Sequence, residues 1–148
     1  MSRENVELVR AAVPGPVFDL LRMFGGNEIP AELDVGIFAP DMDIEFQPRV
    51  DEETYSGIDG LIEGWRDWLS AWSRYEAHTE DWIDAGDDVV MLVRLKGETR
   101  HDHVLLEQRA AVVYTLESGK VVRLAFYLDR RTALAEAGLP ERPEQPAP

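Results

Sequence analysis

The chain has 148 residues, no cysteine, 45% apolar and 30% charged side chains, the arithmetic of one globular domain able to bury a single core. Fifteen basic against 29 acidic residues give a net charge of -14, which disfavours nucleic acid and anionic membrane as partners, because both demand phosphate neutralisation. The missing cysteines exclude a disulfide framework, thiolate catalysis and cysteine-held metal centres; with no apolar core in Met1-Ser2-Arg3-Glu4-Asn5 and no apolar run near ~20 residues, a cytoplasmic protein is expected.

Ser2 can cap a helix running to about Val13, with Val6, Val9 and Val13 on one face, until Pro14-Gly15-Pro16 ends it. A second helix is expected from Pro16, carrying Val17, Leu20, Leu21 and Phe24 and stopped at Gly25-Gly26. A third, from Pro30 to about Phe38, is closed by Pro40. Asp43 to Phe46 alternates as a short strand, which Pro48 confines to an edge position.

Ser56-Gly57-Ile58-Asp59 has the spacing of a capping box. Behind it Ile58, Leu61, Ile62, Trp65, Trp68, Leu69 and Trp72 recur at three and four residues, the stripe of an amphipathic helix. From Tyr75 the pattern changes to strands: Tyr75 to Ile83, Val89 to Leu95, Val104 to Leu116 and Val121 to Leu128. The links Asp84-Ala85-Gly86-Asp87 and Glu117-Ser118-Gly119-Lys120 are of hairpin type, so neighbouring strands should be antiparallel. Asp129 caps a last helix, Arg130 to Ala137; residues 1–138 form one domain and 139–148 a disordered proline-rich tail.

Helices followed by an antiparallel meander give an α+β fold with the helices on one face of the sheet. Val89 to Val93 and Ala110 to Tyr114 are nevertheless apolar on both faces, so a second copy is expected to cover the other face, making a homodimer through the sheet.

This order resembles the SnoaL-like branch of the nuclear transport factor 2 superfamily. The resemblance rests on Ser2 to Glu7, Tyr55-Ser56-Gly57-Ile58-Asp59-Gly60, Trp82 to Asp87, Gly119 to Arg123 and Tyr127-Leu128-Asp129-Arg130, and covers about residues 1–138. It implies a cone-shaped curved antiparallel sheet wrapped around helices, a cystatin-like α+β barrel, with a mostly apolar pocket at its open end. Polyketide cyclases, ketosteroid isomerases, epoxide hydrolases and non-catalytic members share that fold, so the reaction must be read from residues. Where isomerase-like members carry a carboxylate base, the resemblance points to Phe46 within Ile44-Glu45-Phe46-Gln47-Pro48, or to Glu45 or Gln47 if the register differs by one residue; neither Phe nor Gln can serve as a base. Where the hydrolase-like members carry an Asp-Arg-Asp set it has Lys96, Arg94 and Phe126, matching only the arginine.

Trp65, Trp68 and Trp72 can floor a pocket or be plain core. Arg94, in an apolar strand and sharing a face with Leu92 and Lys96, can hold a ligand carboxylate or enolate, or a structural ion-pair partner. His101-Asp102-His103 has the spacing of some metal sites but no third ligand, so no metal is expected; His103, nearest the strand, is the better acid or base, and His78 belongs on an exposed strand face. Gln108 and Tyr114 share one face of their strand and supply the pocket's polar groups if it is concave, or an interface if it is convex. Tyr55 can act as a lid or be an ordinary loop aromatic, and Asp129 reads as an N-cap rather than a catalytic carboxylate.

The expectation is therefore a cofactor-free, small-molecule-binding protein with Phe46, Tyr55, Trp65, Trp68, Arg94, Gln108, Tyr114 and Phe126 around an apolar ligand. If it catalyses, the reaction is isomerisation or cyclisation of a hydrophobic ketone, with Arg94 and His103 as candidate groups. The alternative is a non-catalytic module whose cone is filled by its own side chains. Contact between Phe46, Trp65 and Phe126 would mark the filled cone, and reachable polar groups at the mouth the open one.

Overall fold

In the computed structural model, which describes residues 2–12, 17–24, 35–47 and 55–139, helix α1 (Ser2–Ala12) buries Val9 and Ala12, as their spacing requires. Pro14-Gly15-Pro16, Gly25-Gly26, the segment from Pro30, Pro48 and residues 140–148 lie outside the described residues.

The expected second helix is divided. Val17–Asp19 is a short strand, β1, hydrogen-bonded to the edge of the sheet, and α2 spans only Leu20–Phe24. The cause is local: Asp19 Oδ1 accepts from the Arg22 backbone N–H at 3.1 Å, so the helix is capped three residues later than Pro16 would have it. The third helix reduces, among the described residues, to one 3-10 turn at Val35–Ile37, and Phe38 already belongs to a strand.

That strand, β2 (Phe38–Gln47), passes through Pro40 instead of starting after it. Its pairing with the last strand is irregular between Phe38 and Asp43, so no ladder bond is asked of the proline nitrogen. Nor is β2 an edge: it lies between the last strand and the two-residue β3 (Tyr55–Ser56).

Helix α3 (Gly57–Leu69) buries Leu61, Ile62, Trp65 and Leu69. Trp72, which fits the same stripe, instead opens the next strand, and Ser56 makes no side-chain capping bond. Gly57 makes the turn: its φ is +69°, and a Cβ there would lie 2.6 Å from the Pro40 carbonyl oxygen.

The meander β4 (Trp72–Ala85), β5 (Asp88–Thr99), β6 (Leu105–Glu117) and β7 (Lys120–Tyr127) follows the expected order, turning at Gly86 (φ +80°) and Gly119 (φ +77°). The seven-stranded sheet runs β1-β4-β5-β6-β7-β2-β3 and is antiparallel except for β2 against β7. No hairpin links those two, so nothing local dictates their direction. Register shifts in β4 at Thr79/Asp81 and in β6 at Thr115/Leu116 add the twist by which the sheet curls into a cone around α3.

Both faces of the central strands are buried within one copy. Val89, Met91, Val93 and Leu95 of β5, with Ala110, Val112, Tyr114 and Leu116 of β6, face the concave core with α1, α2 and α3. Val90, Leu92, Ala111, Val113, Ala125 and Tyr127 face the other way and are covered by Ala133 and Leu134 of α4 (Arg130–Glu136). The expectation that this apolar strip needs a second copy is corrected, since the chain's own last helix covers it. Asp129 caps α4, accepting from the Arg131 backbone N–H at 3.0 Å and from Thr132 Oγ1 at 3.0 Å. Leu139, assigned to the tail, packs against the same cluster, and its N–H bonds the Leu134 carbonyl at 2.9 Å.

Candidate functional site

A partly open cavity of about 60 Å³ lies between α2, α3 and the concave sheet. Met23 and Phe24 of α2, Trp65 of α3, Met91 of β5, Tyr114 of β6 and Phe126 of β7 are among its walls. An empty cavity of ~150 Å³ takes a benzene ring, so this one suits a guest of few heavy atoms. Among the described residues, no Asp, Glu, His, Lys or Arg lines it.

Beside the cavity the aromatic side chains close on one another. The Phe46 ring lies 5.2 Å from Trp65, 5.9 Å from Trp68 and 5.9 Å from Phe126, while Trp65 and Phe126 are 5.1 Å apart. Tyr55 meets Phe46 edge-on at 5.9 Å, and its hydroxyl donates to Asp67 Oδ2 at 2.9 Å. Five of the expected pocket residues are thus brought together, as packed rings in mutual contact. Each such pair adds about 0.5–1.5 kcal/mol beyond burial, so the cluster resists opening.

The face of β6 bearing Gln108 and Tyr114 is the concave one, but the two part company. Gln108 is tied into a chain in which Trp68 Nε1 donates to the Tyr75 hydroxyl at 3.1 Å and that hydroxyl donates to Gln108 Oε1 at 3.2 Å. Burial pushes the Tyr75 hydroxyl up to about 12, against the opposing bond from Trp68. Tyr114 lines the cavity, stacked 6.5 Å from Trp82, and burial alone holds its pKa far above the ordinary phenol value. Both phenols hold their protons more tightly than a free phenol, and Tyr75 serves as a hydrogen-bonding group.

Arg94 is a correction. It shares its face with Leu92, and that face is the convex one, so the side chain points away from the cone towards Glu107, Nε to Oε1 3.4 Å. That distance suits an ion pair, yet the angle makes no hydrogen bond, and Nε is buried without a partner. His103 is a second correction: it sits in the β5–β6 turn at φ +54°, exposed, with Nδ1 3.2 Å from Glu98 Oε2. His101 and Asp102 are exposed in the same turn. Glu45, next to the position of an isomerase-like base, pairs with Arg123 at 2.7 Å on the convex side. His78 is partly buried there, with Nε2 unpaired.

Sequence reasoning did not single out Tyr75, Met23, Phe24 or Met91 as site residues. The signal for Tyr75 lay in its alternation with Ala77, both of which face the core. Nothing local marks Met91, because β5 is apolar on both faces.

A curved sheet closed around a helix, with an apolar interior, defines the cone-shaped α+β class. Within that class the chain belongs to the SnoaL-like domain family, whose model matches residues 30–124. No curated protein matches it. Among solved structures, a protein of Jannaschia sp. CCS1 described as a SnoaL-like polyketide cyclase is 17% identical, with 95% of each chain covered and a TM-score of 0.64. TerC, co-crystallised with polyporic acid, is 15% identical over 90% of this chain and 98% of that one, TM-score 0.61. A Catenulispora acidiphila protein with a ketosteroid isomerase-like fold, in complex with trimethylamine, is 20% identical over 95% and 96%, TM-score 0.57. At these identities the likeness establishes the fold. Among the described residues no helix is long and apolar enough to cross a membrane.

Proposed function

We propose that the protein is a cytoplasmic binding module that takes a compact, largely apolar small molecule into its cone. The observation that carries this reading is the cavity of about 60 Å³ with no charged side chain in its lining among the described residues. Two relatives of the same fold were crystallised with small molecules, which supports a ligand-holding interior. The mutual contacts of Phe46, Trp65 and Phe126 are the mark of the filled-cone alternative and support a non-catalytic module, in which the small cavity beside them leaves room for a compact guest and none for polycyclic ketones. That Arg94, His103 and Glu45 lie outside the lining supports binding over a copied proton-transfer mechanism. Thermal unfolding across a panel of guests tests it: small apolar molecules should raise Tm, and steroids and polycyclic ketones should not. Stabilisation by the large ligands alone would reverse the reading.

The homodimer is proposed on a different part of the sheet from the one expected. Beyond α4 the convex face carries Glu76, Lys96 and Glu107 in one cross-strand row and His78, Arg94 and Arg109 in the next. The first row alternates in sign and the second is basic, on a chain of net charge -14, next to Leu105 and Leu106, exposed by 74% and 44%. A second copy would complement such a patch and cover its exposed leucines. Sedimentation should give twice 16.8 kDa, falling to one copy in Leu105→Glu; a single-copy mass for the unaltered chain contradicts the dimer.

A further inference from the structure

Resting on the dimer reading, we infer that the two copies meet with each strand of the patch antiparallel to its own counterpart, about a two-fold axis that crosses the strands between Lys96 and Glu98. The pairing of β4, β5 and β6 lays out the face to be matched. Arg74, Glu98 and Leu105 form one cross-strand row, and Glu76, Lys96 and Glu107 form the next. A depression of about 410 Å³ is lined by both rows. Taken in the order β4, β5, β6, the first row is basic, acidic, apolar and the second is acidic, basic, acidic.

A two-fold contact sets one face against itself, so the register decides which charges meet. Sheets packed face to face stay nearly aligned at about 10 Å, which leaves an axis along the strands or across them. An axis along β5 turns each row end for end upon itself. Glu76 then faces Glu107 of the second copy, and Lys96 faces its own counterpart. An axis across the strands through either row likewise sets every charge on its equal. Moved to lie between the row of Lys96 and the basic row of His78, Arg94 and Arg109, the axis sets Arg94 against Lys96. It also lays Leu105 of each copy on the row of Leu92 and Ala111, which Ala133 and Leu134 of α4 already cover.

Between the rows of Lys96 and Glu98 the outcome differs. Lys96 faces Glu98, Glu76 faces Arg74, and symmetry makes each pair twice, with no like charges opposed within the two rows. Leu105, exposed by 74%, is covered against the stem of Glu107. The Glu98 carboxylate is held within its own copy by Ser73 Oγ at 3.3 Å and His103 Nδ1 at 3.2 Å, so its place on the face is set before the copies meet. The α4 helices stand clear, on the far side of the basic row.

Charge reversal in two separate chains tests the register. Arg74→Glu and Glu76→Arg each oppose like charges twice across the axis, and each alone should weaken self-association at least about tenfold in sedimentation equilibrium. Mixed one to one, they should recover an affinity within about threefold of the unaltered chain, since every facing pair of the mixed dimer is again of opposite sign. Thermal unfolding of each variant checks that the fold is kept. Lys96→Glu and Glu98→Lys should behave in the same way, and they carry the test if a β4 variant does not fold. A mixture that associates no better than the single variants, beside a dimeric unaltered chain, overturns the register and leaves the dimer standing. Tighter association of Glu76→Arg by itself also overturns it, in favour of the axis along the strands. A single-copy mass for the unaltered chain overturns both.

Discussion

A Cβ added to Gly64 of α3 would lie 2.6 Å from Cε1 of Phe46 on β2, so the helix approaches the strand as closely as it does only because that residue is glycine. Phe46 cannot give way freely, being fixed by Tyr55, Trp65, Trp68 and Phe126. Alanine in a helix normally gains up to ~1 kcal/mol over glycine. Here overpacking should outweigh that gain, and Gly64→Ala should lose about 1–2 kcal/mol in denaturant titration. In a Phe46→Leu background the loss should shrink. An equal loss in both backgrounds would show that the ring is not the obstacle.

Alkaline pH tests the hydrogen-bond chain at Tyr75. Below about pH 10 its hydroxyl is protonated folded and unfolded, and contributes no slope. Above that the unfolded chain releases the proton first, so stability should fall as pH climbs from the ordinary value of 10.0 to about 12. Tyr75→Phe removes this slope; it also leaves Trp68 Nε1 and Gln108 Oε1 without their partner, costing about 1–3 kcal/mol at neutral pH. Stability measured against pH in both proteins should show a shallower alkaline fall for the variant. Superimposable slopes would remove Tyr75 as the cause.

Arg130 pins α4 to the convex face. Its side chain, 12% exposed, donates to the backbone carbonyls of Ala110 at 3.1 Å and Val93 at 2.9 Å and pairs with Glu80. Arg130→Ala should cost about 3 kcal/mol and increase binding of a hydrophobic dye, as Ala133 and Leu134 lift from Val90 and Val113. A loss below ~1 kcal/mol with unchanged dye binding would mean that the apolar contacts hold the helix unaided.

Arg94→Ala and His103→Ala should leave guest binding in the cone within about twofold of the original. Arg94 faces the convex side and His103 the exposed turn, so neither reaches the cavity. Guest affinity measured by thermal shift checks this, and a tenfold loss in either variant would place that residue in the site after all.

The sequence made the fold legible wherever local rules govern it. The four-strand meander follows from alternation and glycine turns, and the cap at Asp129 from its side-chain chemistry. Trp72 misleads because helical spacing runs on past Leu69, whereas the ring is held over Gly97, 2.6 Å from the place of a missing Cβ and 25 residues along the chain. Pro40 misleads because only the irregular pairing with β7 shows that its missing N–H is not needed. Arg94 misleads for another reason: when both faces of a strand are apolar, alternation tells which residues share a face but not which face is inside. The aromatic cluster was readable as a set, from the stripe on α3 and the resemblance. Its mutual contact, which narrows the cone, depends on ring placement that no periodicity carries.

The most direct test of the narrow apolar cone is a xenon-pressurised crystal examined by anomalous scattering. The account predicts a xenon site within the cone, in contact with Trp65, Met91 and Tyr114, with Phe46 and Phe126 still touching. A cone without xenon, or one in which Phe46 swings away to leave a chamber several times larger, would contradict it.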